Sequence, residues 1–457
     1  MYPQPHHDTG GTRVVGQAGG MLLTRTAQVT DLAAGLSRAL SPWRKPLAVH
    51  DPGKIVTDLA IMLALGGDCL ADAGVLRGEP AVYGPVASDP TISRLISVLA
   101  ADAPNVLTAI NTARAQARAR AWQLAGEHSP AHRASVTEPL TIDVDATLVT
   151  AHSDKENARP TFKKGYGFHP LCVFADHGPE GGGEPLAIML RPGNAGSNTA
   201  VDHIQVLRDA FQQLPGLTDR RPGKTVLVRV DGAGYSHQLL DWLTGQRVHY
   251  SAGWTLPAEA GPLIEQVPAN GWTPAYDAER KPREGAWVAD ITGLLNLEAW
   301  PAGMRIIIRK ERPHPGAQLT ITDVDGHRIT AFATNTRHGQ VADLELRHRR
   351  RARAEDRIRH AKTTGLTNLP LHGYLQNQIW CTLVALACEL KAWMQLLALE
   401  GHDARRWEPK RLRYRLYSIP AALTRSSRQT RLRYPTHHPW AALLAIALTA
   451  LALHDST

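Results

Sequence analysis

The stretch "LTIDVDATLVTA", residues 140–151, decides the fold class, because the hydrophobic pattern changes there from helical to extended. Apolar and polar side chains alternate along it, with Ile142, Val144 and Ala146 on one face and Asp143, Asp145 and Thr147 on the other. This period of two is typical of a strand with one buried face. The chain before it has helical patterns at 28–48, 54–76 and 104–125, and a further helix start at Ser88 or Asp89, followed by Pro90.

Extended and helical patterns alternate after this stretch. Strands are predicted at 169–176, 184–193, 225–232 and 247–254, with helices at 198–214 and 236–245 between them. The order predicts an α/β fold built on a mixed sheet with flanking helices. Short strands then dominate residues 255–335, at 285–292, 303–310, 318–324 and 328–335, which predicts a β-rich insertion. Helices return at 337–362 and 373–399.

The charge balance indicates a polyanionic partner or an acidic membrane surface. The 457 residues include 51 Lys and Arg against 42 Asp and Glu, a formal net charge of +9. The 4 cysteines contain no CxxC pair, which argues against a disulfide framework or a thiolate zinc site. The apolar segment 440–453 is shorter than the roughly 20 residues of a membrane-spanning helix, and the N-terminus lacks a signal-peptide pattern. We therefore expect a cytoplasmic protein without a membrane partner.

The stretch "RHRRRARAEDRIRHAK", residues 347–362, surrounds Glu355 and Asp356 with eight Arg or Lys side chains. One interpretation is a solvated helix whose acids make i,i+4 pairs with arginines. The other is a metal-binding Glu355 beside phosphates that the arginines hold. Choosing between them requires further acids elsewhere in the chain.

Two further acids lie at strand positions where ligands bind. Asp145 lies within the alternating strand, and Asp231 ends an apolar strand immediately before a glycine. Ligands in such sheets bind beyond the carboxyl ends of strands, although an edge-strand surface acid and a turn or helix-cap Asp remain alternatives. Asp143 is a rival for Asp145, since residues two apart on a strand point to the same side. With Glu355, these carboxylates could hold two divalent cations about 3.5–4 Å apart.

Several segments resemble the DDE transposases of bacterial insertion sequences, in particular the insertion-sequence family numbered 1380. The similar segments are "DVDAT" (143–147), "HSDKENARPTFKKGYGFHPL" (152–171), "LRPGNAGSNTA" (190–200) and "VRVDGAGYS" (228–236), with a weaker likeness in "SDPTISRL" (88–95). Relatives carry Tyr, two residues, Arg, three residues, Glu, six residues and Lys around the third acid. That spacing falls here on His348, Arg351, Glu355 and Lys362, with His348 in place of the Tyr.

The resemblance implies a ribonuclease-H-like catalytic core interrupted by the β-rich insertion. We expect five regions: an N-terminal helical region that binds DNA ends (1–136), the first part of the core (137–254), the insertion (255–335), the second part of the core with the Glu helix (336–400), and a basic helical C-terminal region (401–457). Asp145, Asp231 and Glu355 are the implied catalytic and metal-binding acids, with Asp143 as the alternative first acid. His348, Arg351 and Lys362 are the implied DNA phosphate ligands.

The implied activity is cleavage of the element's terminal inverted repeats and their joining to target DNA. Two Mg²⁺ ions, for which Mn²⁺ can substitute, are the implied cofactors. The implied partner is double-stranded DNA, bound by a homodimer in the cytoplasm at the nucleoid. Two alternatives are a catalytically silent DNA-binding relic and a ribonuclease-H-like nuclease. A tryptophan of the insertion could stack on a flipped base, and the sequence does not choose among Trp272, Trp287 and Trp300.

Overall fold

The computed structural model describes residues 14–455 except 180, 197–198, 217–220, 258, 314–325 and 427–428. The chain forms two compact units. The first comprises residues 1–126, 179–182 and 360–457, and the second comprises 127–178 and 183–359. The two ends of the sequence therefore contribute to one unit, with the predicted α/β region between them.

The first unit is mainly helical. Its described helices are Met21–Val29, Leu32–Ala39, Pro52–Leu65, Ala73–Arg77, Pro80–Tyr83, Asp89–Ala101, Ala103–Ala125, Tyr374–Ala398, Pro409–Leu412 and Ala441–His454. The long helix Tyr374–Ala398 packs against Pro52–Leu65 and Ala103–Ala125. By length and composition it is the one unbent helix of the described residues that could cross a membrane, but 89% of its most apolar window is buried inside the protein. Its apolar character therefore serves the core of this unit.

A buried ion cluster joins two helices of the first unit. Arg114 donates to both Glu389 carboxylate oxygens, at 3.1 and 3.0 Å from Nε and 2.6 Å from Nη2, and Arg118 also binds this carboxylate. The side chains of Arg118 and Glu389 are fully buried. Such a cluster depends on charge balance, because a buried charge without its counter-ion is strongly destabilising.

Replacing Glu389 with alanine is therefore expected to lower the free energy of unfolding by about 3–5 kcal/mol. Urea denaturation of the full chain at neutral pH measures the change. Asp403→Ala is the control, since the Asp403 side chain is 84% exposed and such surface changes stay within about 0.5 kcal/mol. Unchanged stability in Glu389→Ala would show that the cluster contributes nothing to folding.

The C-terminal region contains a β-hairpin where only helices were predicted. Strands Ala421–Ser426 and Gln429–Arg433 pair antiparallel, and Val14–Val15 adds a third strand. Leu423 and Leu432 are cross-strand partners that pack on a small core containing Val15 and Ala18. The hairpin forms because this distant N-terminal segment covers its few apolar side chains. The apolar segment 440–453 is helical, as predicted, at Ala441–His454.

The second unit is built on a nine-stranded mixed sheet. In chain order its strands are β1 (Leu140–Ala146), β2 (Leu171–Ala175), β3 (Glu184–Met189), β4 (Val226–Val230), β5 (His249–Trp254), β6 (Thr273–Tyr276), β7 (Pro282–Asp290), β8 (Arg305–Glu311) and β9 (Arg328–Thr334). The spatial order is β6-β7-β8-β9-β5-β4-β1-β2-β3. Strands β1, β4 and β5 are parallel neighbours, and every other pair is antiparallel. The mixed α/β architecture predicted from the sequence is thus confirmed.

Strands β6–β9 extend this sheet instead of forming a separate β module. The link is the antiparallel pairing of β9 with β5, in which Phe332 lies opposite Gly253. The sequence pattern predicted strands here but not their partner, since the edge of β5 is far away in the chain. The predicted strand 318–324 lies outside the described residues. A small sheet of Val149–Thr150, Arg159–Pro160 and Tyr166–Phe168 accompanies the main one.

The helices of the second unit are Ala200–Gln212, His237–Gly245, Ala260–Glu265 and Val341–Arg349, and most of Arg353–Ala361. A 3₁₀ turn, Arg350–Ala352, separates the last two, and a π turn, Lys362–Leu366, follows them. The single helix predicted over 337–362 is therefore interrupted. Helix Arg353–Ala361 carries the third predicted acid, Glu355.

Candidate active site

The carboxyl ends of two adjacent parallel strands bring Asp145 and Asp231 together. Asp145 is the penultimate residue of β1, and Asp231 directly follows β4, which pairs parallel with β1. Burial raises the pKa of Asp145 to about 6, the Arg351 guanidinium lowers it, and the Asp231 carboxylate raises it again. A carboxylate held this far from water, beside a second one, is typical of a functional site.

Arg351 connects the helical region to this pair of acids. Its Nη1 lies 3.2 Å from Oδ2 of Asp145, whose side chain is 13% exposed. Oδ1 of Asp145 accepts a 2.9 Å hydrogen bond from the backbone N–H of Ala146. The Asp145 carboxylate is thus fixed by one guanidinium and one amide, and it keeps further lone pairs for another ligand.

Glu355 lies one helical turn beyond Arg351 and is exposed to solvent. The ligand oxygens of Asp145, Asp231 and Glu355 do not all come within 4.8 Å of one another. Over the part of the chain that the structure describes, the group of three that does so is Asp68, Cys69 and Asp72 in the first unit. There the Asp72 carboxylate accepts backbone N–H bonds from Asp68 and Cys69, so that group caps a turn.

The donor set around Asp145 fits a hard divalent cation. Its side chains offer carboxylate oxygens. Mg²⁺ and Mn²⁺ both prefer such oxygens to sulfur, and Mg²⁺ also prefers them to nitrogen. Burial is the largest cause of the raised pKa of Asp145, and the negative charge of Asp231 raises it further. A cation between the two acids would remove that repulsion. Glu355 is the nearest predicted acid in sequence to Arg351 and would complete an all-oxygen set.

Asp143, the alternative first acid, has a different environment. Its buried carboxylate receives Arg229 Nε at 2.6 Å and Nη2 at 2.8 Å, and Arg357 Nη1 at 2.5 Å. Two guanidinium groups therefore occupy the oxygens of Asp143. Of the two acids on this face of β1, Asp145 is the one with fewer protein partners at its oxygens.

His348 has a packing role in this structure. Its ring stacks on Phe332 with centroids 4.5 Å apart, and its Nδ1 lies 2.8 Å from the Ser251 hydroxyl. Burial, followed by the charge of Arg351, lowers the pKa of His348 to about 3, so the ring is neutral at neutral pH. Its expected phosphate contact remains a prediction. Lys362, the last residue of the motif, begins the π turn and belongs to the first unit.

The arginines of the stretch 347–362 are mostly bound to the protein itself. Their partners within the second unit are Thr336 for Arg347, Glu345 and the Tyr276 carbonyl for Arg349, the Ala278 carbonyl for Arg350, Asp176 for Arg353, and Asp143 and Asp176 for Arg357. Arg359 pairs with Asp356 at 2.9 Å on the exposed face. Neither sequence interpretation described this, since contacts with residues distant in sequence, to carboxylates, carbonyls and a hydroxyl, hold most of the guanidinium groups.

Two buried histidines near Asp231 were missed by the sequence analysis. His203 Nδ1 lies 3.0 Å from the Thr199 carbonyl and His169 Nδ1 lies 3.1 Å from the Ala195 carbonyl, so each ring donates from Nδ1. Burial lowers both pKa values, and the Asp231 charge acts on both rings in the opposite direction. The available signal was the position of His203 on the apolar face of its helix, with Val206, Leu207 and Ala210.

An aromatic cluster follows Asp231 in the chain and includes one of the three candidate tryptophans. Trp300 stacks on His237 at 3.3 Å and lies edge-on to Trp254 at 4.4 Å, and Tyr235 stacks on Trp254 at 5.0 Å. Trp272 and Trp287 lie elsewhere on the sheet, flanking Lys310 at 4.5 and 5.9 Å. Trp300 is thus the tryptophan of the insertion that shares a cluster with the residues after Asp231.

Comparison with known proteins identifies the class. The sequence matches the family model of the DDE domain of transposases over residues 3–456. The chain is therefore a DDE-type transposase, an enzyme that cleaves and joins DNA strands with divalent metal ions. Within that class it belongs to the family described as "Transposase DDE domain group 1". The predictions of a transposase, of DNA recombination and of metal-dependent catalysis are confirmed at this level.

Comparisons with solved structures and with curated proteins give less information about this chain than the family model does. One similar solved structure is a piggyBac transposase synaptic complex with hairpin DNA, at 10% sequence identity and a TM-score of 0.40. The match covers 87% of this chain and 78% of that one. No functionally curated protein matches the sequence.

Proposed function

We propose that this chain is the transposase of a bacterial insertion sequence, similar to the insertion-sequence family numbered 1380. It binds the terminal inverted repeats of its element, cleaves the ends and joins them to target DNA. The observation that carries this proposal is the pair Asp145 and Asp231 at the ends of adjacent parallel strands, with the Arg351 guanidinium 3.2 Å from Asp145. A site that binds a DNA phosphate next to metal ions needs carboxylates to hold the metal ions and a fixed cation to hold the phosphate.

Asp145, Asp231 and Glu355 would hold two Mg²⁺ ions, with Mn²⁺ as a substitute. When bound, such ions activate the attacking oxygen and stabilise the leaving oxygen during in-line phosphoryl displacement. The second unit corresponds to a ribonuclease-H-like core, in which β1 and β4 carry the first two acids and helix Arg353–Ala361 carries the third. This assignment is supported by the parallel pairing of β1 with β4 and by the position of Arg351 on Asp145.

Arg351 has the main phosphate-positioning role among the chain's own side chains. Its side chain is 20% exposed and contacts Asp145 through one nitrogen, so the guanidinium keeps donors for a phosphate oxygen. Lys362, which belongs to the first unit, keeps its proposed role as a ligand of DNA phosphates. His348 packs on Phe332, and in our proposal its neutral ring contributes one hydrogen bond to a phosphate at most.

The basic C-terminal region is the proposed DNA-end surface, together with the N-terminal helices. Residues 401–435 contain ten Arg or Lys and two acids. Several of these cations are exposed, including Lys410, Arg411, Arg425, Arg431 and Arg433. A homodimer on DNA would hold the two element ends together, and the protein would act in the cytoplasm at the nucleoid.

Removing three hairpin charges is expected to weaken DNA binding in a salt-dependent way. In the triple variant Arg425→Gln, Arg431→Gln and Arg433→Gln, the slope of log affinity against log salt should become less steep by about 0.9 for each DNA phosphate that is no longer neutralised. Fluorescence anisotropy of a labelled duplex at several salt concentrations measures the slope.

The matched control removes the same number of charges from the exposed end of the β6–β7 hairpin, with Arg280→Gln, Lys281→Gln and Arg283→Gln. It should bind DNA like the unmodified protein. If both triple variants lose affinity equally, the hairpin has no special role and only net charge matters.

The test of the proposed function is strand cleavage by the purified full chain with Mg²⁺. The substrate is a duplex that carries the element's end, and a scrambled duplex of the same composition is the control. Cleavage confined to the element's end supports the proposal. Cleavage of both duplexes alike would indicate a nuclease of this fold instead, and binding without cleavage would contradict the proposed activity.

A further inference from the structure

A buried cluster of four charged side chains lies beneath the candidate active site. Asp143 is bound by Arg229 and Arg357, and Asp176 accepts Arg229 Nη2 at 2.9 Å and Arg357 Nη2 at 2.7 Å. All four side chains are at most 7% exposed. Two acids and two guanidinium groups balance in charge, and each guanidinium bridges both acids. We call this group the ionic cluster.

Three of the four members of the ionic cluster lie two residues from a predicted catalytic acid in the sequence. Asp143 is two residues before Asp145 on β1, and Arg229 is two residues before Asp231 at the end of β4. Arg357 is two residues after Glu355 on helix Arg353–Ala361. Every element that carries a predicted acid therefore contributes one member to the ionic cluster, always at the same separation.

The sheet register explains the first two of these relations. Asp143 and Arg229 are directly paired residues of the parallel strands β1 and β4. Residues two apart on a strand point to the same side of the sheet. The salt bridge between Asp143 and Arg229 therefore fixes the register of the two strand ends and places the next residues on the same side, Asp145 and Asp231, next to each other.

The helix is held by the same cluster. On an α-helix, residues two apart lie about 200° apart around the axis, so Arg357 can reach into the cluster while Glu355 faces away from it. Arg353, one turn before Arg357, adds a contact to Asp176 at 3.4 Å. The Arg229 guanidinium also donates to the Arg347 carbonyl at 2.8 Å. Arg353 and Arg357 thus attach helix Arg353–Ala361 to Asp143 on β1 and to Asp176 after β2. The Arg347 carbonyl attaches the preceding helix, Val341–Arg349, to β4.

Packing around Arg357 leaves little freedom for this attachment. A Cβ at Gly183 would lie 2.5 Å from Arg357 Nε and 2.6 Å from the Ala175 carbonyl oxygen. Gly183 also has a φ of +92°, which favours glycine. The Gly183 backbone therefore lies directly against the Arg357 side chain, and a larger residue at this position would displace the guanidinium from the ionic cluster.

We infer that the ionic cluster of Asp143, Asp176, Arg229 and Arg357 positions the three elements that carry Asp145, Asp231 and Glu355 for divalent-metal binding. This inference rests on the metal site of the proposed function. The cluster residues touch neither DNA nor metal, and they act by fixing the acids relative to one another. In this inference Asp143 is a positioning residue, whereas Asp145 is a metal ligand.

The variant that tests the inference is Arg357→Lys, which keeps the positive charge but cannot bridge two carboxylates. Mn²⁺ binding to the full chain, followed by the electron paramagnetic resonance signal of free Mn²⁺, is the first readout. The second is the single-turnover cleavage rate at saturating DNA and Mn²⁺. We expect the Mn²⁺ dissociation constant to rise about 10–100-fold, and the cleavage rate to fall on the order of 10²-fold, with unchanged DNA affinity.

The matched control is Arg118→Lys in the buried ion cluster of the first unit. It removes an equally buried guanidinium from a carboxylate, so it should lower the unfolding temperature without changing Mn²⁺ binding or cleavage. Asp143→Asn is a second test variant that keeps the side-chain shape, and it should reproduce the Arg357→Lys result. Mn²⁺ binding that is lost in the Asp145→Asn variant is assigned to the active site.

Three results would overturn the inference. One is a folded Arg357→Lys protein with unchanged Mn²⁺ affinity and cleavage, which leaves the proposed metal site intact but removes the positioning role. Another is an equal loss in Arg118→Lys, which would show that both clusters act only through stability. The third is unmodified protein without Asp145-dependent Mn²⁺ binding, which contradicts the metal site of the proposed function and the inference with it.

Discussion

Replacing Asp145 with asparagine is expected to reduce DNA strand cleavage by roughly 10³-fold or more while leaving DNA binding intact. A metal ligand contributes several kcal/mol of transition-state stabilisation, and each 1.36 kcal/mol is about tenfold in rate. Asparagine keeps the shape of the side chain and loses the charge that a divalent cation needs. Single-turnover cleavage of the element-end duplex measures the rate, and anisotropy measures the binding.

The same replacement is expected to stabilise the metal-free protein. Burial raises the pKa of Asp145 to about 6, above its ordinary value of 3.8, so its ionisation destabilises the fold progressively as the pH rises from 3.8 and fully above about 6. Removing that charge should add about 1–3 kcal/mol to the free energy of unfolding at pH 7–8. The gain should shrink as the pH falls from about 6 towards 4, where the carboxyl group becomes protonated in both states.

Thermal unfolding in the presence of a chelator, at pH 5 and pH 8, tests this sign. A variant that loses both cleavage and stability at pH 8 would contradict the assignment, because it would place Asp145 in a supporting ion pair. The surface variant Asp356→Asn should show neither effect, since that carboxylate is 59% exposed. When a substitution makes the protein more stable but less active, the original residue typically serves function at a cost in stability.

The central strands could be predicted from the sequence because their alternation or apolar runs reflect local burial. β1, β4 and β5 all lie within the segments whose patterns indicated strands. The extent of the sheet could not be predicted in this way. The pairing of β9 with β5 joins residues about eighty positions apart. The hydrophobic periodicity of a segment indicates which face of it is buried, but not which strand it pairs with.

The C-terminal hairpin illustrates the same limit. Its strands are dominated by polar and basic side chains, so composition indicated a charged tail. Its apolar contacts come from Leu423 and Leu432, and the covering residues Val15 and Ala18 stand at the other end of the sequence. A hairpin with so little apolar surface becomes stable only through that distant contact.

The acids of the site were visible in the sequence, but the roles of the arginines were not. A run of eight cations looks uniform, although Arg351 contacts Asp145, Arg357 is buried against Asp143, and Arg359 makes a surface pair. The period of a strand also could not separate Asp143 from Asp145, which face the same side. The distinction depends on which carboxylate the register places beside Arg229, and that is a property of the assembled sheet.

Glu355→Gln is expected to reduce cleavage by about 10²–10³-fold, whereas Asp356→Asn should cut DNA at nearly the rate of the unmodified protein. Both residues are exposed acids on one helix, so they are matched in charge, burial and neighbourhood. The neighbour Asp356 pairs with Arg359 at the surface, and such pairs contribute at most about 1 kcal/mol. Only Glu355 lies one turn from Arg351, whose guanidinium contacts Asp145.

The two variants should also differ in metal binding. Glu355→Gln should weaken Mn²⁺ binding by about tenfold or more, since it removes a charged oxygen ligand from a small set, and Asp356→Asn should not. Equal activity in both variants would exclude Glu355 as the third acid. Loss in Asp356→Asn alone would mean that the helix presents its other face to the strand ends on binding DNA. The ratio of the two rates therefore reports which face of this helix completes the site.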